Sequence, residues 1–246
     1  MDNLEISSNP FELQTQNFLP SEDRLHIYGN HTLCITDHKA YKKSLTEIFV
    51  NASEGFIPLW EENVTLNWRF DKSMDTFFAK PELAKEGIRK LFSDAILSWE
   101  DACPVKFSEN DDLWDFEITV LPDRCNGSSC VLASAFFPKQ GQDTLVIYPK
   151  LFTQSYKEQV ETIIHEMGHI FGLRHFFAQI EEKEWRSEAF GKNDDPFSIM
   201  NYGDKSTLTV RDKSDLKELY RLVWSKKITQ INRTPIKLFK PYHVKQ

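Results

Sequence analysis

Three of the seven histidines in this 246-residue chain fall within one short segment, His165-Glu166-Met167-Gly168-His169-Ile170-Phe171-Gly172-Leu173-Arg174-His175. On an α-helix, side chains four apart share a face, so His165 and His169 can offer two ring nitrogens to one ion. Glu166 sits next to the first of them, placed to reach a water on that ion and not the ion itself. Gly172 permits positive φ, which lets the backbone leave the helix sharply and swing His175 back as a third ligand. Three imidazoles leave one position of a zinc ion open for water, as catalytic sites require. Zinc lowers the pKa of such a water from about 15.7 toward ~7 and stabilises a developing oxyanion. Glu166 is then the candidate base for attack on a peptide carbonyl and the donor of the same proton to the leaving amine.

Such a site needs a framework, and the hydrophobic pattern supplies one. A helix is predicted from about Tyr156, with Val160, Ile163, Ile164, Met167 and Phe171 on its inner side. Pro81 opens a second, whose apolar face is Leu83, Ile88, Leu91, Phe92, Ala95, Ile96 and Trp99. Val64, Leu66, Trp68 and Phe70 alternate with polar residues and read as a half-buried strand, as do Phe116, Ile118 and Val120. Residues 130–137 and 144–148 suggest two more strands, and a helix is expected near residues 39–50. Thr209 and Asp212 have capping-box spacing ahead of a last helix that buries Leu216, Leu219, Tyr220 and Val223. This order of elements predicts an α/β arrangement of layers with mixed strand directions.

The eleven residues resemble the metzincin signature H-E-x-x-H-x-x-G-x-x-H. Downstream, Ser198-Ile199-Met200-Asn201-Tyr202-Gly203 resembles the Met-turn of the same group. The resemblance implies a zincin-like fold, with a mixed twisted sheet and two long helices above the cleft. Below it lies a smaller subdomain holding the Met-turn and the C-terminal helix. It also implies that Met200 forms a floor under the ligands without binding metal. Tyr202 is either an assistant to the transition state, as in metzincins with S-x-M-x-Y, or a structural residue. Val131 to Pro138 resembles the edge strand of matrixins, which makes Leu132, Ala133, Ser134 and Ala135 candidates for pairing with an extended substrate; an internal strand is the alternative. Leu208, Asp212, Leu219 and Tyr220 resemble the closing helix of matrixins and serralysins. Ser134 stands where matrixins commonly carry a structural-zinc histidine, and no calcium-binding loop is evident. One catalytic zinc is therefore expected, and neither a second zinc nor calcium. Matrixin-like is the closest reading within the group.

The division expected is an N-terminal extension over 1–59, a catalytic domain over 60–226 and a C-terminal tail over 227–246. The extension is either an inhibitory pro-segment or part of the fold. Formal net charge is -7, which argues against a nucleic-acid partner, and no stretch has the roughly 20 apolar residues of a membrane span. The expected partner is a peptide or protein substrate. The N-terminus lacks a basic leader and an apolar core, so no ordinary signal peptide is read. That points to the cytoplasm or non-classical export, whereas the family resemblance points outside the cell. Cys125 and Cys130 are close enough to bridge in an oxidising compartment. Cys34 does not sit in a matrixin-type switch sequence and reads as an uninvolved thiol. His26, His31, His38 and His243 read as surface or locally bonded, Arg174 as solvated, Asp194 and Asp195 as turn residues. Sequons at Asn30, Asn51, Asn63, Asn126 and Asn232 read as chance occurrences. Two rival functions remain open: a zinc-binding module without hydrolysis, and a zinc hydrolase of a non-peptide amide.

Overall fold

The computed structural model describes residues 9–14, 32–33, 48–126, 129–175, 186–191, 197–201 and 206–245. In chain order the elements are β1 (Thr32–Leu33), β2 (Ile48–Asn51), β3 (Ile57–Trp60), β4 (Thr65–Phe70), α1 (Met74–Phe77) and α2 (Pro81–Trp99). Next come β5 (Lys106–Glu109), β6 (Phe116–Val120), β7 (Cys125–Asn126), β8 (Ser129–Val131), β9 (Ala133–Ser134), β10 (Asp143–Ile147) and α3 (Tyr156–Ile170). The last are β11 (Leu173–Arg174), β12 (Ser187–Phe190), α4 (Val210–Trp224), β13 (Gln230–Ile231) and β14 (Thr234–Phe239).

The principal sheet has the order β5-β4-β6-β10-β9; its first four strands are parallel and β9 runs antiparallel at the edge. This is the mixed α/β sheet that the sequence predicts. Its core is aromatic: Phe92 of α2 meets Trp68, Phe107 and Phe116 at ring separations of 5.3, 5.2 and 6.2 Å. Trp99 packs on Phe171 at the end of α3 and donates through Nε1 to the carbonyl of Ile164. The two long helices are thereby fixed to each other as well as to the sheet. Ser155 starts α3 with a reciprocal capping box: it accepts from the Glu158 amide while the Glu158 carboxylate accepts from its own. Caps of this kind satisfy donors that the first turn leaves without partners.

Local pattern misplaces a few residues. Leu83, expected on the buried face of α2, is exposed, and Ala84 takes its place inward. Asn67, on the polar side of β4, is buried because its amide donates to Asp115 and its Nδ2 to the Leu113 carbonyl. Of the helix expected near 39–50, residues 39–47 lie outside the described residues, and 48–50 form strand β2. Ile48 and Val50 are β-branched and, with Phe49, buried on both faces of the strand, an environment that favours extended backbone over helix.

Three small sheets accompany it among the described residues: β1-β8-β7, β11-β2-β12, antiparallel throughout, and β13-β14-β3. The boundary read between residues 59 and 60 falls inside β3, and the segment beyond 226 carries a hairpin whose β14 runs parallel to β3. Cys125 and Cys130 form a disulfide across the β7–β8 hairpin. No helix among the described residues is long and apolar enough to cross a membrane.

Candidate metal centre

α3 carries His165 and His169 on its last, fully buried turns. The helix closes with Phe171 and Gly172 donating backbone bonds to the carbonyls of Met167 and His169. Gly172 then adopts φ of +94°. A β-carbon there would lie 2.9 Å from Leu59 Cδ2 and 3.0 Å from the Pro58 carbonyl oxygen, so glycine is required both for the backbone conformation and for the space. The chain turns into β11 and delivers His175. The turn is braced from outside: Trp60 Nε1 donates to the Ile170 carbonyl at 2.7 Å and Tyr220 Oη to the Phe171 carbonyl at 3.0 Å.

The three imidazoles meet. Their ring centroids are 4.9 to 5.1 Å apart, and one ligand atom from each lies within 4.8 Å of the others. His165 Nδ1 contacts the Ile199 carbonyl at 2.7 Å, and His169 Nδ1 contacts the Leu173 carbonyl at 2.8 Å. A carbonyl oxygen can only accept, so both Nδ1 atoms carry the proton and both Nε2 atoms present a lone pair. Burial holds His165 down to about 4, and it holds His169 and His175 well below the ordinary histidine range, with mutual repulsion adding to the effect. The rings are therefore neutral. The Nε2 atoms of His165 and His175 are 3.1 Å apart. Two nitrogens at ~2.0–2.1 Å from one tetrahedral zinc would be separated by about 3.3 Å. Neutral, buried nitrogen donors at this spacing fit zinc.

Met200 lies beneath the helix, buried against Gly168. The turn that holds it is itself anchored by Asp212 of α4. One carboxylate oxygen accepts from Ser198 Oγ at 2.6 Å, and the other from the Ile199 amide at 3.2 Å and the Thr209 amide at 2.9 Å. Asp212 thus caps its own helix and positions the carbonyl that orients His165. Burial pushes its carboxyl pKa up, while the Ser198 hydroxyl and these amides pull it down. The sequence signalled only the cap; the reach of Asp212 to Ile199, and the carbonyls of Ile199 and Leu173 that set both tautomers, carry no local sequence signal.

Glu166 is buried one position beyond the first imidazole. Among the described residues β9 lies at the edge of its sheet, bonded to β10 on one side, while Val131, at the head of the same stretch, lies in β8, the middle strand of β1-β8-β7. Leu132 and Ala133 are buried; Ser134 and Ala135 are half-buried. Phe137, just beyond, meets the His169 ring edge-on at 5.5 Å, so the edge strand leads directly to the metal-site helix. Arg174, expected in solvent, is 2% exposed, its guanidinium 5.9 Å from the Phe137 ring centre; pairing of β11 with β2 draws it inward. His243 is locally bonded, its ring and amide both on Asp115. Tyr202, Cys34, His26, His31, His38, Asp194 and Asp195 lie outside the described residues.

Among the solved structures similar to this chain are two of myroilysin. One is 14% identical, with a TM-score of 0.45, covering 70% of this chain and 98% of that one. The other is 15% identical, with a TM-score of 0.44, covering 85% and 98%. No curated protein matches by sequence. The profile of the Matrixin family, Peptidase M10, matches residues 59–181, which include all three imidazoles and the edge strand. With that match spanning half its length, the chain belongs to the matrixin family of zinc metalloproteases.

Proposed function

We propose that this protein is a zinc-dependent endopeptidase in which His165, His169 and His175 hold the ion and Glu166 is the general base. The observation that carries the reading is the convergence of three buried, neutral imidazoles with a buried carboxylate one residue beyond the first. Zinc, when bound, supplies an acidified water and a Lewis acid toward the scissile carbonyl. Glu166 takes the proton of the attacking water and returns it to the leaving amine. The carbonyls of Ile199 and Leu173 keep His165 and His169 in the tautomer that ligation needs. The polypeptide substrate lies extended along Leu132, Ala133, Ser134 and Ala135 and adds a strand to the sheet at β9, whose edge position supports this role. Tyr202 remains a candidate for transition-state assistance, and loss of rate in a Tyr202→Phe variant with unchanged zinc content is the result expected if it acts so. The Cys125–Cys130 bridge suits an oxidising compartment and thus extracellular action.

The test is Glu166→Gln. Zinc content should stay near wild type while cleavage of an unbiased peptide mixture falls by about 100-fold or more. Undiminished cleavage would remove Glu166 from the mechanism. A wild-type protein that binds zinc and cleaves no peptide would favour the non-hydrolytic module or an amide substrate of another kind.

A further inference from the structure

We propose that residues 48–52, in the segment that precedes the matrixin match, form a clasp that positions His175 for the metal. The proposal rests on the reading of the three imidazoles as a zinc site. β11 is two residues long and ends immediately before His175. A strand that short has no stability of its own, yet the third ligand must be held within a fraction of an ångström for the site to work. What holds it is β2.

β2 is the middle strand of its sheet, antiparallel to β11 on one side and β12 on the other. Val50 faces Leu173 and Phe49 faces Arg174; on the other flank Asn51 faces Ser187 and Glu188 faces Val50. Beyond the ladder, the Asn51 amide donates to the Gly172 carbonyl at 3.0 Å, at the residue where the chain leaves the helix. The Ala52 amide donates to the Arg186 carbonyl at 2.8 Å. Residues 172–174 lie immediately before the third ligand and residues 186–190 lie further along the chain, and one strand ties both. Ile48, Phe49, Val50, Asn51 and Ala52 are all buried. From the opposite side, Pro58 and Leu59 fill the space against Gly172. The turn between the second and third ligands is therefore held by Asn51 on one side and by Pro58 and Leu59 on the other. Any N-terminal trimming that leaves a working site must stop before Ile48.

A clasp and a merely structural strand differ in one respect: only the clasp is coupled to the metal. Coupling is reciprocal, so zinc that stabilises residues 173–175 must also stabilise 48–52. The first measurement is amide exchange on the full chain with and without zinc. Zinc should slow exchange at 48–52 together with 173–175; protection confined to 173–175 overturns the proposal. The second uses Asn51→Pro, which deletes the donor to the Gly172 carbonyl, beside Asn51→Ala, which keeps it. Zinc affinity by chelator competition should fall ~10-fold or more in the proline variant and hold in the alanine one. The cobalt-loaded proline variant should also lose the absorption band of the wild-type site. Wild-type zinc affinity in Asn51→Pro overturns the clasp; should that variant not fold, the exchange measurement decides. Wild-type protein that takes up no zinc removes the metal site, and the clasp with it.

Discussion

Gly168 and Met200 claim the same space: a β-carbon on residue 168 would sit 2.3 Å from the sulfur of Met200 and 3.1 Å from its methyl. The glycine between His165 and His169 is thus the socket for the Met200 side chain. Gly168→Ala gains up to about 1 kcal/mol of helix propensity, but the overpacking it creates costs about 1–3 kcal/mol. Packing should win. Met200→Ala alone leaves a cavity costing about 2–5 kcal/mol. Because the added methyl partly fills that cavity, the double variant should lose clearly less than the sum of the singles. Denaturant unfolding of the four metal-free proteins measures the coupling; strict additivity would mean that the two residues do not share a site.

Gly172→Ala should be the most damaging single methyl in the zinc segment. It forces a side chain into positive φ, at roughly 1–2 kcal/mol, and into the Pro58 carbonyl, which as backbone cannot step aside. The expected result is a folded protein of lowered thermal stability whose zinc content falls, because the third ligand is displaced. Stoichiometric zinc at wild-type affinity would contradict the role given to this turn.

The metal-free protein should be acid-labile. His165 titrates near 6.5 in the unfolded chain and at about 4 when folded, because burial disfavours its charged form. A depressed folded pKa means that the unfolded state takes the proton first. The full stability of the fold is present above pH 6.5 and is lost progressively toward pH 4, by about 3 kcal/mol for this residue alone. His169 and His175 shift in the same direction. Unfolding midpoints measured from pH 7.5 to pH 4 should fall steeply in the wild type and less steeply in His165→Gln. A flat wild-type profile would show that these rings are not buried and neutral.

Cys103 should behave as an inert thiol. The side chain is half-buried, desolvation raises its pKa to about 11, and its Sγ donates to the Val105 carbonyl at 3.2 Å. Thiolate is the reactive form, so at pH 8 residue 103 should resist iodoacetamide in the native protein and react on unfolding. Peptide mapping of the alkylated protein reads this directly, and rapid native labelling would contradict the raised pKa.

The convergence of His165, His169 and His175 was legible because it is local. Spacing of four places His165 and His169 on one face, and a glycine three residues later marks where the helix must end. The α2 face, the alternating strands β4 and β6 and the Thr209–Asp212 cap were readable for the same reason: each is written in neighbours along the chain. What escaped depends on partners distant in sequence. β2 carries no pattern that separates it from a helix, because a short strand buried on both faces shows no alternation. Arg174 is drawn inward by a strand more than a hundred residues upstream. Residues 236–239 pair with β3, which nothing within them announces.

Asn51 heads a glycosylation sequon; it closes the buried strand β2, and its side-chain oxygen is already engaged by the amide and hydroxyl of Ser53 just beyond the strand. At 7% exposure and with that oxygen engaged, the residue offers a transferase little access in the finished structure. In a secretory pathway, oligosaccharide transfer and strand closure would compete for the same asparagine. Chains that lost the race would be marked permanently by added mass, and the unglycosylated fraction at Asn51 would record how quickly this part of the molecule becomes inaccessible.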